Sequence, residues 1–141
     1  MTISLEPPLL IEGYAALFGV ADLSGDVVRA GAFGRTLRRG RATPMLLQHR
    51  AGAVVGRWTR LAEDGRGLYA RGLIETPLAR SLARRGLDGL SIGFRPALWK
   101  ARTEGGRDLI DLDLVEVSLV AAPMQPKARF ALLGGERAAA A

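Results

Sequence analysis

The chain has 141 residues, 48% of them hydrophobic and 24% charged, which fits one globular domain with a single core and excludes an intrinsically disordered chain. There is no cysteine, so disulfides and thiolate chemistry are excluded, and a zinc site would have to use carboxylates around the one histidine. The net charge of +6 is almost wholly arginine, since Lys100 and Lys127 are the only lysines; the arginines are scattered and few aromatics accompany them, which favours a solvated surface over a nucleic-acid footprint.

Residues 1–8 read as a flexible leader that ends in a double proline, without the basic start and apolar core of a signal peptide. No apolar stretch reaches the roughly 18 residues of a membrane span, so the expected location is the cytoplasm. Residues 9–18, LLIEGYAALF, are β-compatible, with Gly13 as a candidate bulge. The turn-rich segment that follows sets Asp22 and Asp26 around Gly25. Carboxylates at that spacing can bind a cation, but they more often cap turns through backbone N–H groups, and the further ligands of an EF-hand are missing. Residues 32–39 read as a short helix with Phe33 and Leu37 on one face, stopped by Gly40.

Residues 44–49 form a short apolar run that closes on Gln48 and His49. Residues 53–61 and 67–74 read as a hairpin. Thr76 and Pro77 mark a helix start, with Leu78 and Leu82 as its apolar face and Gly86 as its stop. Residues 89–100, GLSIGFRPALWK, alternate so that Leu90, Ile92 and Phe94 share one side and Ser91, Gly93 and Arg95 the other. The long run 109–130 sets Glu116 and Ser118 among aliphatic residues. Strict alternation puts Glu116 on a face with Leu112, Leu114, Ser118 and Val120, and the apolar opposite face implies a strand buried on both sides. The tail 134–141 is low-complexity and reads as disordered, which leaves 9–133 as the domain. The whole pattern predicts an α+β, mainly β fold: an antiparallel six- or seven-stranded barrel flanked by short helices.

A carboxylate inside an apolar strand is costly unless something pairs with it. The sequence offers His49 and Ser91 as partners, and Ser91, His49 and Glu116 are the residue types of a nucleophile, a base and an orienting acid. Serine needs imidazole to take its proton, and imidazole needs a carboxylate to fix its tautomer. Each residue also has a plain structural reading, as a hydrogen-bonded histidine, a small polar filler and a buried acid held by a partner. The stretch from Gly89 to Gly93 matches the G-x-S-x-G pattern, but that elbow requires a strand-to-helix turn, and here a helix precedes the serine and a strand follows.

Four ordered segments, GYAALFGVADLSGDVVRAGAF, PMLLQHR, GLSIGF and LVEVSLVAAPMQPKARF, resemble the prohead (procapsid) maturation protease family of tailed phages and of gene transfer agents. That family is itself similar to the herpesvirus assemblin proteases. The resemblance spans residues 13–130 and implies an assemblin-like barrel and a serine endopeptidase with Ser91 as nucleophile and His49 as general base. Glu116 is the best match for the third member, with Asp111 and Asp113 in reserve, because the viral relatives use a second histidine and this chain has one. Backbone N–H groups near Gly93 or in the 121–129 turn are the oxyanion candidates. The resemblance further implies a substrate in the scaffolding segment of the major capsid protein, self-cleavage, a place inside the assembling procapsid and a homodimer, with no cofactor and no metal. The competing functions are a non-catalytic capsid-assembly module on the same fold and a basic nucleic-acid-binding protein.

Overall fold

In the computed structural model the structure describes residues 6–134, and the expected tail and most of the expected leader lie outside them. Among the described residues there are eight strands and two helices: β1 (Leu9–Leu17), β2 (Val27–Val28), α1 (Gly34–Arg38), β3 (Pro44–Leu47), β4 (Val54–Glu63), β5 (Gly67–Ile74), α2 (Pro77–Arg84), β6 (Gly89–Ala101), β7 (Arg107–Val120) and β8 (Phe130–Leu133). The expected hairpin is β4–β5. Its turn is fixed by Asp64, whose Oδ1 accepts the N–H groups of Arg66 and Gly67.

The strands form one sheet in the order β2-β7-β3-β4-β5-β1-β8, with β6 antiparallel along the whole of β7. The other edge of β7 is shared. β2 pairs with its first residues and β3 with its last, both in parallel. Between them the α1 region covers the edge: Leu112 N–H donates to Ala32 O, and the Thr36 hydroxyl donates to Leu112 O while accepting from Leu114 N–H. The sheet curls until its ends touch, where Leu90 N–H donates to Ala128 O and Phe130 N–H to Asp88 O, both at 2.8 Å. The mainly β architecture with short helices is therefore as expected. The two parallel pairings and the two-residue strand β2 are features that strand periodicity does not reveal.

Ile11, Met45, Leu68, Ile74, Leu90, Leu109, Leu112, Val117 and Leu119 fill the inside of the curl, and Phe33 closes it from the α1 side. Helix α2 departs from expectation. It buries Ala79, Arg80 and Ala83, leaves Leu78 exposed, and makes no side-chain cap through Thr76 although Thr76 is the N-cap residue. The small alanines, and not the two leucines, supply its buried face. No helix among the described residues is long and apolar enough to cross a membrane.

Candidate active site

The site is built on the inner ends of β6 and β7 and on the turn after β3. Along β6–β7 the register runs Ser91 opposite Ser118, Ile92 opposite Val117 and Gly93 opposite Glu116, then jumps to Phe94 opposite Leu114. Val115 is thus an extra residue, a β-bulge, and it is exposed. A bulge resets the alternation of side chains. Before it Leu112 and Leu114 enter the core, and after it Val117 and Leu119 do. Glu116 and Ser118 consequently share the opposite face with Ser91 and Gly93. This corrects the expectation of a common face for Glu116, Leu112 and Leu114, and of a strand buried on both sides throughout.

Glu116 lies folded across Gly93. A Cβ at position 93 would come within 2.7 Å of Glu116 Cδ and Oε2, so the carboxylate occupies the space that any larger residue would need. Its two oxygens are both engaged. Oε2 accepts from His49 Nδ1 at 2.7 Å and Oε1 accepts from the Ser118 hydroxyl at 2.8 Å. The carboxylate side chain is 8% exposed, whereas the His49 side chain is 43% exposed.

His49 follows β3 in a tight turn closed by the Arg50 N–H to Leu47 O bond, with Gln48 and His49 at φ of 53° and 61°. Two successive positive φ values are the pattern of a type I′ turn, and for residues other than glycine each costs about 1–3 kcal/mol. The turn is tied to β7 at several points. Gln48 N–H donates to Leu119 O, Gln48 Oε1 accepts from Ala121 N–H, and His49 N–H donates to Ser118 Oγ at 3.1 Å. The parallel pairing of Met45, Leu46 and Leu47 with Val117, Ser118 and Leu119 sets this position, carrying the only histidine to the residues around Glu116.

Ser91 is buried on β6 and, with His49, lines a cavity of about 310 Å³. Val28, Ile92, Phe94, Leu109 and Met124 give that cavity apolar walls. One side is formed by the 121–129 segment, which contributes Ala122, Met124 and Gln125. Gln125 holds the segment in place: its side chain accepts from Leu17 N–H at 2.7 Å and donates to Leu17 O and Val20 O. Ser118 and Gln125 are the residues whose positions sequence reasoning missed. Ser118 carried a signal, a polar side chain among aliphatic residues, but only Glu116 was given a role from it.

The other acids have different partners. Asp111 and Asp113 pair with Arg35 at 2.9 and 2.7 Å, and the Arg35 guanidinium holds the Asp113 carboxyl below the usual carboxylate range. Asp22 caps its turn, as the sequence suggested, by accepting from Ser24 N–H and hydroxyl and from Asp26 N–H. Asp26 pairs with Arg107 at 2.7 Å, and that guanidinium lowers its carboxyl. Among the described residues no group of three His, Cys, Asp or Glu side chains is placed to hold a metal.

The fold is shared with viral proteases of known structure. The bacteriophage T4 capsid assembly protease superposes with a TM-score of 0.68 at 16% identity, covering 84% of this chain and 85% of that one. The Kaposi's sarcoma herpesvirus (KSHV) protease, solved with a hexapeptide phosphonate inhibitor, gives 0.60 at 14% identity over 90% and 65%. The varicella-zoster virus protease gives 0.58 at 16% over 89% and 64%. Within that class, residues 4–138 match the model of the caudovirus prohead serine proteases, and the chain belongs to that family. The prohead protease of Enterobacteria phage HK97 is 36% identical over 97 residues, which are 62% of this chain and 43% of that protein. The match thus spans less than half the length of that relative.

Proposed function

We propose that this chain is a serine endopeptidase in which Ser91 is the nucleophile, His49 the general base and Glu116 the acid that orients it. The observation that carries the reading is the 2.7 Å bond from His49 Nδ1 to Glu116 beside a serine that lines the same cavity. With Nδ1 protonated and bonded to the carboxylate, Nε2 is the ring nitrogen left to accept a proton. Ser91 Oγ attacks the scissile carbonyl carbon as its proton passes to His49 Nε2, and Glu116 stabilises the imidazolium that forms. The imidazolium returns the proton to the leaving amine as the C–N bond breaks. Water then repeats the sequence on the acyl-enzyme. The apolar cavity walls suit an apolar side chain next to the scissile bond.

Family membership and the likeness to the HK97 prohead protease support a maturation role, with the scaffolding segment of the major capsid protein and the chain itself as substrates inside the assembling procapsid. The test is co-expression with the capsid protein and analysis of the products by mass spectrometry. Ser91→Ala is expected to abolish removal of the scaffolding segment while the shell still assembles. Undiminished cleavage by that variant would end the reading.

A further inference from the structure

Ser118 lies two residues beyond Glu116 on β7, directly opposite Ser91 on β6, and is fully buried. A hydroxyl has one proton to give and two lone pairs to receive with. Here the proton goes to Glu116 Oε1 at 2.8 Å, and a lone pair accepts the His49 backbone N–H at 3.1 Å. The other carboxylate oxygen accepts from His49 Nδ1 at 2.7 Å. These three bonds close a ring through His49, Ser118 and Glu116. The histidine is gripped twice by one carboxylate, directly at its imidazole and, through Ser118, at its main chain.

Both grips bear on conformations that need support. The His49 backbone sits at φ 61°, outside the regions that most side chains prefer, and the Ser118 bond holds its N–H there. The Glu116 carboxylate lies across Gly93, in the space that a larger residue would need. A second donor on Oε1 fixes the plane of the carboxylate and therefore the direction in which Oε2 faces the imidazole. The His49 N–H also polarises the hydroxyl, which makes it a better donor to the carboxylate.

We infer that Ser118 is a positioning residue of the reaction. Its hydroxyl fixes Glu116 and the His49 backbone together, which keeps the proton on Nδ1 and leaves Nε2 to accept the proton of Ser91. This rests on the triad assignment above, so the experiment carries one readout that does not depend on proteolysis. The chain has a single histidine, and nitrogen NMR of histidine-labelled protein reports His49 alone.

The measurement is made in an otherwise wild-type background for kinetics and in the Ser91→Ala background for NMR, where self-cleavage is absent. Ser118→Ala is expected to lower kcat about 10- to 100-fold, the effect of one hydrogen bond to a charged group, with KM little changed. The His49 nitrogens are expected to move from the pattern of one Nδ1–H tautomer to that of a mixture. Ser118→Cys, which keeps the volume and weakens the donor, is expected to fall between, and it supplies both readouts if the alanine variant does not fold. A folded variant with wild-type kcat and an unchanged His49 tautomer would overturn the inference. So would a fall in kcat with the tautomer unmoved. If Ser91→Ala leaves cleavage intact, the triad reading falls, while the NMR arm still decides whether Ser118 holds His49.

Discussion

Asp113 and Glu116 stand on the same strand, on either side of the bulge at Val115, and they are put to opposite uses. Asp113 is half-exposed and paired with Arg35 at 2.7 Å. Glu116 is buried and paired with His49 at the same distance. A guanidinium does not release its proton at any pH a protein survives, so the first pair is a fixed charge arrangement. An imidazole can donate from one ring nitrogen while accepting a proton at the other, so the second pair can do chemistry. The partner, more than the acid, separates a structural carboxylate from one suited to catalysis.

The largest expected effect comes from breaking the chemical pair without changing its shape. Glu116→Gln keeps the volume but can present an N–H to His49 Nδ1 and so favour the wrong tautomer. It is expected to lower kcat by a factor of about 10⁴, measured on a peptide spanning a mapped cleavage site. A smaller loss is expected from Gly93→Ala, since the added methyl would need the space held by Glu116 Cδ and Oε2. Displacing that carboxylate by about 1 Å is expected to cost about 100-fold in kcat. A crystal structure of the variant with the His49–Glu116 bond intact would contradict the account of why glycine stands there.

Arg35→Ala breaks the other pair and has the smallest expected effect, with kcat unchanged and a modest drop in melting temperature. That drop has a defined pH dependence. The folded Asp113 carboxyl lies below its ordinary value because of Arg35, so the pair adds stability above the unfolded value, about 3.9, and loses it as pH falls through the lower folded value. The stability gap between wild type and Arg35→Ala is therefore expected to be full at neutral pH and to close in acid. A gap that persists at low pH would show that Arg35 acts through packing.

The same strand shows how far the sequence can be read. His49, Ser91 and Glu116 were visible as polar residues in or at the end of apolar runs, a local signal, and the family resemblance gave them their roles. The face that Glu116 occupies was misassigned because the bulge at Val115 depends on how β6 and β7 register, which is a tertiary property. The parallel pairing of β3 with β7 was hidden for the same reason, since a four-residue strand carries no mark of its partner. The left-handed turn at Gln48 and His49 was hidden because neither residue is a glycine. The α2 face was misjudged because two leucines outweigh two alanines in any hydropathy pattern, although the alanines are the residues that are buried.

The β3–β7 pairing has a mechanical consequence. The residue after Gln48 is carried on one strand and Glu116 on its parallel neighbour, so their separation is set by how far one strand has slid along the other. A strand advances about 3.3 Å per residue, more than the 2.7 Å that joins His49 to Glu116. A slip of one residue would therefore pull His49 and Glu116 apart, and it would also turn the side chains of β3 to the other side of the sheet. The site works as a gauge of sheet register: it is assembled in one alignment of the two strands and dismantled in the next.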